Sequence, residues 1–148
     1  MGAAIELAKR FECLHRVPKH DPGRAHPYVF RAGYWTIGFG YLCDPKHPPI
    51  TEVEAESYLA QDLNLKAALT ATLRYFPVLV AETQSRLGTI VDFTFNLGAG
   101  RLQTSTRWRV NQRDWQSAAH ELLRWVNGGG RVLPGLLARR TCEVALLQ

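Results

Sequence analysis

Apolar positions along this chain change their spacing several times, and each change marks an element. From Ala3 to Leu14 the residues Ile5, Leu7, Ala8, Phe11 and Leu14 recur at three- and four-residue steps, which predicts an amphipathic helix over 3–14. Val17-Pro18 closes it, because a residue before proline is driven out of the helical region. Between Pro18 and Pro49 stand Pro18, Pro22, Pro27, Pro45, Pro48 and Pro49, so this stretch is not helical. Within it, Tyr28-Val29-Phe30 and Tyr34-Trp35-Thr36-Ile37 are β-prone runs separated by Arg31-Ala32-Gly33, the pattern of a short hairpin. Gly38 and Gly40 bracket Phe39 where an ordinary strand would be weakened, which predicts a bulge or a close approach of backbone to ligand.

Helical spacing then returns. Thr51-Glu52-Val53-Glu54 fits a capping box, and a long helix is predicted over 51–75, with Pro77 beyond its end. Another is predicted over 81–97, with Leu87, Ile90, Val91, Thr94 and Leu97 on one face and Gly98-Ala99-Gly100 as its breaker. Trp115, Ala118, Ala119, Leu122 and Trp125 form a further apolar stripe before Gly128-Gly129-Gly130, and Pro134 suits the first turn of a last helix. The expected organisation is one α+β, predominantly helical domain over 1–148. Its parts are a hairpin lobe over 15–50, a connecting helix over 51–75 and a helical lobe over 76–148, with helix 3–14 packing near the cleft that hinged lobes leave.

Composition narrows the classes. A length of 148 residues with 46% hydrophobic and 21% charged residues is that of one globular domain with a sizeable core. Cys13, Cys43 and Cys142 are odd in number and widely spaced, so neither a disulfide framework nor a zinc site is suggested. The opening Met-Gly-Ala-Ala-Ile-Glu-Leu-Ala-Lys-Arg carries Glu6 in its short apolar stretch and reads as a helix, not as a signal peptide. The formal charge of +5 favours polyanions, among them nucleic acid, anionic lipid and the acidic polymers of a bacterial wall. Arg107, Arg109, Arg113, Arg139 and Arg140 cluster only loosely, and no nucleic-acid motif accompanies them, so the charge selects no partner by itself.

Chemistry enters at the end of the first helix. Cleaving a glycosidic bond needs a carboxylic acid to protonate the leaving oxygen, and usually a second carboxylate opposite it. Glu12 follows Phe11 at the end of an apolar turn, a position that taken alone is that of an ordinary surface glutamate. Phe11-Glu12 is followed in order by Thr36-Ile37-Gly38-Phe39-Gly40-Tyr41, by 50–56, by Asp92-Phe93-Thr94-Phe95-Asn96-Leu97-Gly98, and by Leu123-Arg124-Trp125-Val126 on to Arg140. In these motifs, across nearly its whole length, the chain resembles the phage-type lysozymes, the muramidase or endolysin family of glycoside hydrolases.

The resemblance implies a lysozyme-like two-lobe fold that cuts the β-1,4 bond between N-acetylmuramic acid and N-acetylglucosamine. It implies Glu12 as general acid and Thr36 as the residue that positions the hydrolytic water or the sugar. Phe95, Asn96, Ser105 and Thr106 match positions that line the substrate cleft, and Tyr41 stands where a histidine commonly follows the strand. The second carboxylate departs from the pattern. Aligned backward from the hairpin, Phe30 takes the place of the usual Asp; aligned forward from Glu12, Asp21 stands at the customary separation, with an insertion after it. Three outcomes stay open: Asp21 acts as the second carboxylate, Glu12 works with water and Thr36 alone, or the chain is a weakened or inactive peptidoglycan-binding relative. Arg139 and Arg140 are candidates for meeting acidic wall peptides or capping the last helix dipole. The expected partner is bacterial peptidoglycan, with no cofactor, no metal, no nucleic acid and no stable membrane association. A monomer made in the host cytoplasm and released to the wall is what the resemblance implies.

Overall fold

Alanine and leucine at helical steps make α1, Gly2–Glu12, which buries Ala4, Leu7 and Ala8. The computed structural model describes residues 2–12, 14–30, 33–103 and 105–148, and the backbone alone of Leu63. Two compact units result: Ala8–Leu63, and Met1–Leu7 together with Asn64–Gln148. α1 thus contributes its start to one unit and its end, with Glu12, to the other.

In the Ala8–Leu63 unit, β1 (Arg24–Ala25) pairs antiparallel with β5 (Ile50–Thr51). The predicted hairpin is the first part of a three-stranded antiparallel sheet of β2 (Tyr28–Val29), β3 (Trp35–Ile37) and β4 (Tyr41–Leu42). Its register sets Tyr28 opposite Thr36, Val29 opposite Trp35 and Ile37 opposite Tyr41. Arg31 and Ala32 of its turn lie outside the described residues. Gly38 has φ 62°, and a Cβ there would stand 2.8 Å from the Ala55 Cβ. At this glycine the close approach is to the next helix.

That helix, α2 (Glu52–Gln61), opens with the predicted capping box: Thr51 Oγ1 accepts from the Glu54 amide, and the Glu54 carboxylate accepts from the Thr51 amide. The long helix expected over 51–75 is broken. Asp62 turns to an extended backbone, φ −56° and ψ 124°, before α3 (Leu63–Tyr75) begins. Asp62 and Asn64 belong to the residue types whose short polar side chains compete with helical hydrogen bonding, which weakens the helix here.

The other unit continues from α3 through a 3₁₀ turn at Pro77–Ala81 to α4 (Gln84–Leu97), capped by Thr83. A 3₁₀ turn at Ala99–Leu102 leads to α5 (Ser105–Asn111) and α6 (Trp115–Leu123). The run Asn127–Val132, read as a glycine stop, forms a hairpin of β6 (Asn127–Gly128) and β7 (Arg131–Val132). α7 (Pro134–Leu147) starts at proline as expected. The sequence suggested one buried face for α4, yet it is enclosed all round from Gly88 to Thr94, with α7 as its main neighbour. Phe76, Leu79, Ile90, Phe93, Leu102, Val110, Leu122 and Leu147 form the core of this unit.

Candidate active site

Glu12 closes α1 and is half-buried. Three residues later the His15 amide donates to the Gly38 carbonyl at 3.3 Å, tying the chain after Glu12 to the end of β3. Lys9 meets Glu56 at 2.5 Å and joins the last turns of α1 to α2. β3 carries Thr36 opposite Tyr28, and the Thr36 Oγ1 donates to the Tyr28 carbonyl at 3.4 Å. Thr36 is only 4% exposed.

Asp21 occupies a turn, its amide donating to Pro18 and its carbonyl accepting from Arg24. Its Oδ2 lies 2.9 Å from His26 Nε2, which makes the carboxylate a positioned group and not a free loop end. Phe30 stands in the hairpin, 52% exposed, where its amide donates to Tyr34 and its carbonyl accepts from Gly33. Tyr41 opens β4 with its ring 4.9 Å from that of Tyr58. Glu12, Asp21, Phe30, Thr36 and Tyr41 therefore all belong to the Ala8–Leu63 unit.

Phe95, Asn96, Ser105 and Thr106 belong to the other unit. Phe95 and Asn96 are half-buried near the end of α4. Ser105 donates to Glu121 at 2.5 Å; this bond, and after it Arg124, holds the Glu121 carboxyl below its ordinary value. Thr106 is wholly buried, which gives it a supporting place within its unit.

Neither role suggested for Arg139 and Arg140 fits their surroundings. Both are buried in the middle of α7, away from wall polymer and from the helix end. Arg139 grips Asp92 through Nε at 2.9 Å and Nη2 at 2.7 Å, and Arg140 donates to Glu143 at 2.7 Å and Asn96 at 3.0 Å. Burial pushes the Glu143 carboxyl up to about 9, with Arg140 opposing the rise and Asp92 adding to it. The clue in the sequence was Asp92 itself: a charge inside the apolar run Ile90–Phe93 must find a buried partner. Among the described residues, no three or more His, Cys, Asp or Glu side chains are grouped to hold a metal ion.

The family model described as phage lysozyme matches residues 18–143. The chain belongs to the phage lysozyme family. Its relatives include an endolysin of Acyrthosiphon pisum secondary endosymbiont phage 1, 34% identical over 97% of this chain and 94% of its own length. An endolysin of Bacillus phage B103 is 35% identical over 97% of this chain, which spans about half of that relative, 52% of its length. Among solved structures, the muramidase domain of SpmX from Asticaccaulis excentricus superposes with a TM-score of 0.75 at 26% identity, covering 99% of this chain and 95% of that one. The active form of P1 phage endolysin Lyz shares the fold, with a TM-score of 0.76 at 22% identity, covering 99% and 83%. This member of the family is accordingly a glycoside hydrolase with a lysozyme-like, mainly helical fold. Some relatives carry the name SAR-endolysin, among them that of bacteriophage PS34. Among the described residues, no helix here is long and apolar enough to cross a membrane.

Proposed function

We propose that this protein hydrolyses the β-1,4 bond between N-acetylmuramic acid and N-acetylglucosamine of bacterial peptidoglycan, with Glu12 as proton donor. The observation that carries the assignment is local. Glu12, a half-buried residue, ends α1, and the chain after it is hydrogen-bonded to the end of the strand that carries Thr36. In the proposed reaction Glu12 gives its proton to the leaving oxygen as the sugar carbon takes on oxocarbenium character. Thr36, its hydroxyl held against the Tyr28 carbonyl, orients the water that attacks that carbon. Asp21, held by His26, supplies the second carboxylate that Phe30 lacks: it stabilises the cation and takes the proton that water loses.

In the Ala8–Leu63 unit Phe30 and Tyr41 would offer ring faces to the sugars; in the other unit Phe95 would offer a ring face and Asn96 and Ser105 polar groups, while Thr106, wholly buried, supports its unit from within. No observation favours the binding-only alternative. Release from the host cytoplasm to the wall, as a monomer, completes the reading; the +5 charge suits an acidic wall. Digests of purified peptidoglycan analysed by mass spectrometry test it. New reducing ends on N-acetylmuramic acid are expected. Freed peptides on intact glycan, or glycan ends lacking the added water, would overturn it.

A further inference from the structure

Resting on that hydrolase reading, we propose that the Ala8–Leu63 unit contains a second subsite, shaped for a carboxylate-bearing peptide arm of the wall polymer. The site is a cavity of about 540 Å³ whose lining includes Arg16, His20, His26, Tyr28, Val29 and Trp35. Its volume falls within the range of roughly 300–1,000 Å³ typical of small-ligand pockets. Tyr28 and Trp35 supply flat apolar faces, Arg16 supplies a guanidinium charge, and the His20 ring supplies a nitrogen able to donate, while His26 Nε2 already faces Asp21. The His20 and His26 rings meet edge to face with centroids 5.8 Å apart.

Charge selects the ligand. No acidic residue lines the cavity, and the nearby Asp21 carboxylate is already engaged by His26. Neither Arg16 nor His20 forms an ion pair with a carboxylate among the described residues. Arg16 also holds a left-handed backbone, φ 56°, with its carbonyl accepting the His26 amide at 3.0 Å. Glycine would take that conformation without strain, so what an arginine adds is its guanidinium. An anion joined to an apolar segment satisfies such walls.

Position selects its source. Trp35 directly precedes Thr36, and Tyr28 is the cross-strand partner of Thr36, so the cavity is lined by residues of the strand pair that carries the proposed water-positioning residue. The wall's peptide stem hangs from muramic acid, one of the two sugars at the scissile bond, and carries free carboxylates beside methyl side chains. Phosphate-bearing wall polymers share the anionic chemistry but lack that attachment.

The test reads binding without turnover, in the full chain carrying Glu12→Gln. Titration with the stem tetrapeptide alanyl-glutamyl-diaminopimelyl-alanine should shift the NMR signals of Arg16, His20, His26 and the Trp35 indole along one saturating curve. Arg16→Gly, which also relieves the backbone, should weaken binding about five- to tenfold, the worth of one part-exposed charge-assisted hydrogen bond. His20→Gln provides a second variant and should weaken binding in the same direction. Glycerol phosphate and inorganic phosphate should bind at least several-fold more weakly than the tetrapeptide. Equal affinity for phosphate would overturn the peptide assignment; shifts absent from these residues, or unchanged in both variants, would overturn the subsite. In the active chain, the ratio of turnover on peptide-bearing walls to that on peptide-stripped glycan should fall about fivefold with Arg16→Gly. No release of reducing sugar from either substrate by the parent would refute the hydrolase reading instead, leaving the titration to judge the subsite.

Discussion

Arg139→Met removes one partner from an ion pair that water does not reach. Arg139 is 4% exposed and Asp92 fully buried, joined by two hydrogen bonds of 2.9 and 2.7 Å. Methionine keeps most of the packing volume but leaves the Asp92 carboxylate desolvated without its fork of donors. Breaking such a pair costs about 3–5 kcal/mol, because the abandoned charge keeps its desolvation penalty. In a chain of this length each kcal/mol moves Tm by about 2–4 °C, so a fall of roughly 6–20 °C is expected. Asp92→Val in the same background removes the stranded charge and leaves Arg140 with Glu143 at 2.7 Å. The double variant should therefore regain more than half of the loss. Thermal unfolding of the parent, both single variants and the double, followed by circular dichroism, completes the cycle. An Arg139→Met shift below about 2 °C would refute the reasoning, as would a double variant no more stable than the singles.

Three further outcomes follow from the same contacts. A Gly88→Ala methyl would stand 2.5 Å from the Ala3 Cβ and 2.9 Å from the Ala4 amide nitrogen, so overpacking outweighs the gain of about 1 kcal/mol in helix propensity. A net loss of about 1–2 kcal/mol is expected, and a rise in Tm would contradict it. The Glu143 carboxyl, at about 9 in the fold and 4.5 ordinarily, contributes stability that is complete below pH 4.5 and is lost as pH climbs toward 9. Glu143→Gln, which cannot ionise, should therefore gain on the parent in Tm between pH 5 and pH 9, whereas a constant gap would show that Glu143 does not titrate there. Asp21→Asn should lower the rate of wall hydrolysis about 10²-fold or more with little change in Tm; a parental rate would move the second carboxylate's role elsewhere.

Local signals in the sequence were read well where they act alone. The capping box at Thr51, Pro134 at the first turn of α7 and the periodicity of α1 each specify backbone through neighbours a few residues away. What stayed hidden depends on distant partners. Arg24–Ala25 carries no strand pattern of its own and becomes β1 only because Ile50–Thr51 pairs with it. The break at Asp62 interrupts an otherwise continuous helical pattern. For the candidate site, Glu12 and Thr36 could be named from motif order, but the His15–Gly38 bond that ties their elements together could not. Phe30 and Asp21 competed for one alignment position because an insertion separates them. The coordinates give them different surroundings: Phe30 closes a hairpin, and Asp21 sits against His26. Arg139 and Arg140 read as surface charges since their acidic partners lie on α4 and one turn along α7.

Release of reducing sugar from purified peptidoglycan by Glu12→Gln, set beside the parent at matched Tm, tests the proposed proton donor most directly. The amide is nearly isosteric with the carboxyl but has no proton to give, so the rate should fall by about 10²–10⁴-fold. A well-folded Glu12→Gln chain that cuts the wall as fast as the parent would mean that the proton comes from another residue.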